Sequence, residues 1–310
     1  MDIRELRYFV QIVRNQNYSN AAKQLYVSQP ALSKIVKKIE NEIGEKLLTR
    51  STHQVMLTDY GKIFYERALI TIQTFDSLKN VVKDTKEEKK GKITIGVTPM
   101  VGTLWLVDYI VDFCNSYPNI EIFLNVAGSK ILQERLLKGQ LNLAIGIIKT
   151  VKDIKKSSNI KKTILLEDKM YVCMNNKNIL SQKEFIFLKD LEQEEFNFYD
   201  SVSILSSIIT ENCLKEGFTP KIIFSSSNVD MIVQFTAHGR GICIVPRPYA
   251  NRYNFPDLVK IPLKNDMPWI VCVMENRKSY NPYICDLFKS YIIKRFSQIN
   301  ISTNDMKHSK

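Results

Sequence analysis

The chain has 310 residues, 45% hydrophobic and 25% charged, which suits two or three packed globular units and excludes both a disordered chain and one small helical bundle. No window approaches the ~18 apolar residues of a membrane span, and Met1-Asp2-Ile3-Arg4-Glu5 opens no signal peptide, so the expectation is a cytoplasmic protein with no membrane partner. The net charge of +12 favours a polyanion partner, and the excess is denser at the front: residues 1 to 90 hold 16 Lys and Arg against 11 Asp and Glu, the other 220 hold 28 against 21. Cys114, Cys173, Cys213, Cys243, Cys272 and Cys285 are spread one per segment, and His53, His238 and His308 are equally scattered. Neither set has ligand spacing, which points to reduced core thiols and to no metal or cofactor.

Ile3, Leu6, Phe9, Val10 and Val13 recur every three or four residues and describe one face of a first helix, broken at Asn15-Gln16-Asn17. Ser19 is suited to cap a second short helix over Asn20 to Tyr26, whose Ala21, Ala22 and Leu25 permit close packing. Ser28 caps a third, with Pro30 in its first turn, where a missing N–H is no loss, and Gly44 at its end. The inner face of this third helix reads Leu32, Val36, Ile39, Ile43; its outer face carries Gln29, Ser33, Lys34, Lys37 and Lys38. An amide, a hydroxyl and cations on one face are the groups that base edges and phosphates require, although a basic outer helix of a plain three-helix bundle would look similar.

The order of residues separates the two readings. Leu6-Arg7-Tyr8-Phe9, Ser19-Asn20-Ala21-Ala22, Leu25, Ser28-Gln29-Pro30-Ala31-Leu32-Ser33, Ile39-Glu40, Gly44-Glu45-Lys46-Leu47-Leu48-Thr49-Arg50 and Leu57-Thr58-Asp59-Tyr60-Gly61 follow one another without gaps. This run resembles the DNA-binding domain of LysR-type transcriptional regulators, departing from it at Leu48, where the family has Phe, and at Tyr60, where it has a small residue. The resemblance implies a winged helix-turn-helix on double-stranded DNA. Ser28, Gln29, Pro30, Ser33 and Lys34 would sit in the major groove, Lys37 on phosphate, and Arg50, Ser51, Thr52 and His53 in the wing.

From Thr58 a long helix is expected towards Lys86, with one apolar stripe of Phe64, Ala68, Ile72, Phe75, Leu78 and Val82. No second long helix lies between residues 50 and 90 to cover it, so pairing with another chain is expected. The resemblance implies the same, an antiparallel linker helix in a homodimer or homotetramer, with RNA polymerase as a further partner. A Lys- and Glu-rich run to Gly91 then reads as a hinge.

Beyond Gly91 strands alternate with helices, which predicts parallel sheets with crossover helices in two lobes. The fold class is therefore α/β multi-domain. The winged helix-turn-helix covers 1–57, the linker helix and hinge 58–90, and a two-lobed effector domain 91–298, which the resemblance implies is periplasmic-binding-protein-like. Lobe 1 takes about 91–165 and 266–298, lobe 2 about 166–265, and 299–310 is read as a flexible tail.

Open α/β sheets bind ligands at the carboxyl ends of their strands. Here those ends bring Thr98, Met100, Val101, Gly102, Thr103, Ser129 and Ile147 from one lobe and Ser201, Val202, Ser203, Asn228 and Pro246 from the other. Helix starts beside Thr103, Ser129 and Ser203 would favour a small anion, a carboxylate above all, although Ser and Thr there also serve as ordinary caps. No Walker loop, G-x-G-x-x-G, G-x-S-x-G or H-E-x-x-H is present, so the sequence offers an enzyme no support.

Overall fold

The fold is given by a computed structural model that describes residues 1–50, 54–83, 90–154, 159–279 and 281–305. The chain divides into two compact units, an N-terminal one, chiefly Met1–Glu88, and a larger C-terminal one.

In the N-terminal unit Asp2 and Glu5 cap helix α1 (Ile3–Asn15) reciprocally, each carboxylate accepting the other's backbone N–H at 2.9 Å. Helix α2 (Tyr18–Leu25) is capped by Asn17, whose side chain accepts from the Asn20 N–H at 3.0 Å. This corrects the expected Ser19 cap: Asn17 has the extended backbone a cap needs, whereas Ser19 already lies inside the first turn. Helix α3 (Gln29–Ile43) starts behind Ser28, whose Oγ accepts from the Ala31 N–H at 3.4 Å, and stops at Gly44 in the left-handed region, φ 83°. Leu32, Val36 and Ile39 face inwards as expected. Ile43 does not: it is 39% exposed, because the last turn rotates past the core and Glu40 takes the inner position.

Strands β1 (Leu48–Arg50) and β2 (Val55–Leu57) pair antiparallel as a hairpin. Helix α4 (Asp59–Lys83) begins behind Thr58, whose hydroxyl accepts from the Gly61 N–H at 2.9 Å and donates to the Lys46 carbonyl at 2.6 Å. The approach is close enough that a Cβ on Gly61 would lie 2.0 Å from the Leu47 carbonyl oxygen, so only glycine fits. Phe64 meets Phe9 edge-on at 5.0 Å, Ala68 is buried, and Ile72 packs against the same cluster. The first half of the stripe expected to pair between chains is thus covered by α1 of its own chain. Phe75 is 37% exposed, and the side chains of Leu78 and Val82 lie outside the described set.

The chain continues through β3 (Gly91–Val97), α5 (Pro99–Val101), a π-turn Gly102–Leu106, α6 (Val107–Ser116), β4 (Ile120–Val126), α7 (Ser129–Leu137), β5 (Leu143–Ile148) and β6 (Ile160–Asp168). Then follow β7 (Met170–Asn175), β8 (Glu195–Tyr199), α8 (Ile204–Lys215), β9 (Lys221–Ser226), α9 (Val229–Ala237), β10 (Cys243–Pro246), α10 (Arg247–Ala250), β11 (Leu258–Pro262), β12 (Trp269–Asn276) and α11 (Tyr283–Asp305). Helix α11 runs on to Asp305, into the stretch 299–310 expected as a flexible tail.

One sheet has the order β4-β3-β5-β12-β6. In the other lobe β10-β7-β11 and β8-β9 are joined by a single bridge between Phe196 and Ile242. The expected parallel arrangement holds for β3 with β4 and β5 and for β8 with β9. It fails for β12, antiparallel to β5 and β6, and for β7, antiparallel to β10 and β11. The cause is that the chain crosses between lobes twice and must re-enter each sheet from the opposite end. The crossings are short and adjacent: Lys169 alone joins β6 to β7, Leu263–Pro268 joins β11 to β12, Asp168 lies opposite Trp269, and the Leu263 N–H donates to the Met170 carbonyl at 3.0 Å. The carboxyl ends of β3, β4, β5 and β6 therefore face those of β8, β9, β10 and β11. A single apolar cluster runs through both lobes, from Val97 and Phe113 to Phe196 and Ile232.

Candidate functional site

The exposed face of α3 presents Gln29, Pro30, Lys34 and Lys37, with Ser28 at its start and Ser33 half-buried. Lys38, expected on this face, is held elsewhere: its ammonium lies 2.7 Å from the buried Glu5 carboxylate of α1 and pins α3 to it. At the far end of α3 the buried Glu40 accepts from the Leu47 and Leu48 N–H groups at 3.0 and 3.2 Å and from Lys46 at 2.7 Å. Burial alone would raise its pKa, but the Lys46 ammonium and the two N–H groups outweigh that and hold it below the usual carboxylate range. Glu40, which in the sequence stands out only through the resemblance, thus fixes the wing to the helix. The Val55 N–H donates to the Gln16 carbonyl at 2.9 Å and ties the second wing strand to the end of α1. Arg50 is the last residue of β1; Ser51, Thr52 and His53 lie outside the described residues.

At the facing edges of the C-terminal unit, lobe 1 brings Thr98, Ser129 and Ile147 together around the end of β5. The Thr98 N–H donates to the Ile145 carbonyl at 3.1 Å, and Ser129 Oγ accepts from the Ile147 N–H at 2.9 Å. Ser129 is buried and its hydroxyl oxygen clamps α7 onto β5. Met100, Val101, Ile147 and Pro246 are buried side chains. Gly102 is half-buried behind them, and the Thr103 hydroxyl donates to the Pro99 carbonyl at 3.0 Å. Thr98 differs: it is 4% exposed and its Oγ1 has no hydrogen-bond partner.

Lobe 2 brings Ser201–Ser203 against Ser226–Asn228 through an Asp200 N–H to Ser226 carbonyl bond of 3.2 Å. Ser203 and Asn228 cap α8 and α9, accepting from the Leu205 and Asp230 N–H groups at 3.3 and 2.9 Å, while Ser201 and Val202 are exposed. A residue missed by the sequence reading follows Pro246 directly: Arg247 grips Asp168 with Nε–Oδ1 at 2.8 Å and Nη2–Oδ2 at 2.9 Å. The two are 79 positions apart, and only the fold reveals the pair. No group of three or more His, Cys, Asp or Glu among the described residues could hold a metal ion, and no described helix is long and apolar enough to cross a membrane.

Residues 3–62 match the bacterial regulatory helix-turn-helix of the lysR family, and residues 86–297 the LysR substrate binding domain. An uncharacterized HTH-type transcriptional regulator of Bacillus subtilis, YwbI, is 34% identical over 90% of this chain and 92% of its own. A hydrogen peroxide-inducible genes activator of Dickeya chrysanthemi is 26% identical over 79% of each chain. A full-length OxyR variant from Pseudomonas aeruginosa shares the fold with a TM-score of 0.74 at 20% identity, covering 94% of this chain and 98% of that one. With a helix-turn-helix unit at its N-terminus, a two-lobed domain following in sequence, and both matched, the chain belongs to the LysR family of DNA-binding transcriptional regulators.

Proposed function

We propose that this regulator reads its operator with Ser28, Gln29, Pro30, Ser33 and Lys34 on base edges and with Lys37 and the wing residues Arg50, Ser51, Thr52 and His53 on the backbone, and that a small carboxylate between the lobes modulates the outcome. The observation that carries the ligand half is Thr98, a buried hydroxyl without a partner at the end of β3. A buried polar group left unpaired costs about 1–3 kcal/mol, a debt a bound oxygen would remove. Ser201, Val202 and Asn228 would meet the same ligand from lobe 2. The ligand acts by favouring one of two lobe arrangements, and RNA polymerase is the partner through which the bound regulator is read.

The similarity to a peroxide-inducible activator raises thiol oxidation as a second reading. Three of the thiols, Cys173, Cys213 and Cys272, speak against it. Burial pushes Cys213 and Cys272 up to about 12, and hydrogen bonding to Cys243, then burial, raises Cys173. A thiol held protonated is a poor nucleophile towards peroxide. The test is a thermal-shift screen of organic acids at matched ionic strength on wild type and Thr98→Val. An acid that stabilises wild type and loses most of its effect in Thr98→Val supports the reading. Equal stabilisation of both puts the ligand elsewhere, and a footprint that no acid alters favours a constitutive regulator with a vestigial effector domain.

A further inference from the structure

The facing edges of the lobes leave an anion few free donors at the helix starts. The Ile147, Leu205 and Asp230 N–H groups there already donate to the side chains of Ser129, Ser203 and Asn228. Lys149, just past β5, is paired with Glu211 of α8. Another cation is Arg247, the first residue after β10, where lobe 2 faces lobe 1, and it too is paired.

Arg247 is engaged in an uneven way. Its fork holds Asp168, the last residue of β6 in lobe 1, in a two-point pair, and its own N–H donates to the Lys169 carbonyl at 2.9 Å. The Asp168 side chain is 2% exposed and that of Arg247 26%. The carboxylate is sealed, while the Arg247 side chain, with Nη1 outside the Asp168 pair, is partly open to solvent. A planar arginine fork shaped around a carboxylate is a preformed receptor for that chemical group. The pair also spans the two lobes beside both crossings, so whatever weakens it loosens the lobes from one another.

We propose that Arg247 is the cation that recognises a carboxylate ligand in the cleft, and that Asp168 is its resident competitor, so that ligand entry and release of the tie between lobes are one event. This rests on the carboxylate reading above and adds its receptor and its regulation. Asp168 lowers affinity for an incoming anion whether the ligand displaces it or shares the guanidinium, because its charge opposes the ligand in both cases.

Full-length wild type, Asp168→Asn, Arg247→Gln and Arg247→Lys are titrated calorimetrically with acetate, succinate and benzoate at constant ionic strength, with circular dichroism and operator gel shift as folding controls. The expected result is an acid that binds Asp168→Asn about tenfold more tightly than wild type, as removal of a competing state requires, and both Arg247 variants at least about tenfold more weakly. Arg247→Lys keeps the charge without the fork and decides the matter if Asp168→Asn does not fold. An acid that binds wild type and Arg247→Lys alike overturns the proposal while leaving the cleft reading intact. Variants that melt earlier with unaltered acid affinity make the pair a hinge pin only, which also overturns it. Binding of no acid to wild type or to Asp168→Asn overturns both the proposal and the carboxylate reading.

Discussion

Tyr26 holds a left-handed backbone, φ 55°, and its side chain is 96% exposed, so it bears a strained conformation with no core contact in return. Asn tolerates that region better, and Tyr26→Asn should raise stability by up to about 1 kcal/mol in urea unfolding. On the reading face, Gln29→Ala and Lys34→Ala should each lose about 1–3 kcal/mol against the best operator and relax preference at particular bases, while Lys37→Ala weakens all sequences alike. Unchanged base preferences after loss of both Gln29 and Lys34, measured by selection from a random library, would refute the assignment. Residue roles fixed locally were legible: Ser28, Gly44 and the cap that Thr58 gives the Gly61 N–H all act within three or four positions. Roles fixed by distant partners were not, which is why Lys38 read with the outer face of α3 and Arg247 passed unnoticed.

The wing depends on Glu40, whose carboxylate holds the start of β1. Because its pKa is lowered in the folded chain, its contribution is complete above the ordinary Glu range and disappears as pH falls through the lowered value. Glu40→Gln should therefore cost about 1–3 kcal/mol above about pH 5, and the gap to wild type should close in stronger acid, as a series of pH-dependent melts would reveal. In α4, Ile72→Asp should loosen the N-terminal unit itself, since Ile72 packs on the core that α1 shares. Phe75→Asp should instead lower the mass seen in sedimentation with little change in melting, if Phe75, Leu78 and Val82 form the seam between chains. An unaltered mass would place that seam on another face. The stripe was legible as a period; which neighbour covers it was not, because periodicity marks a buried face without naming its partner. A strand such as β6 is harder to see for a related reason: Ile160–Asp168 carries Lys161, Lys162 and Glu167, and only the long pairing with β12 shows it to be a strand.

The two lobes share one apolar cluster, so the C-terminal unit should unfold as a single transition in calorimetry, and Trp269→Ala should shift that transition without splitting it. Separate lobe transitions would contradict a common core. The division into lobes was legible from the alternation of strands and helices; the antiparallel returns were not, since direction is decided by where the chain crosses. Those crossings have a mechanical meaning. Two strands that leave side by side at Asp168 and Trp269 and arrive side by side at Met170 and Leu263 act like two pins of a door, which permit swing and resist sliding or twist. A door has one coordinate. Ligands of different shape then differ in how far they swing the lobes and not in the direction, so their effects on the operator fall along one graded series, with partial agonists between its ends and no third kind of response.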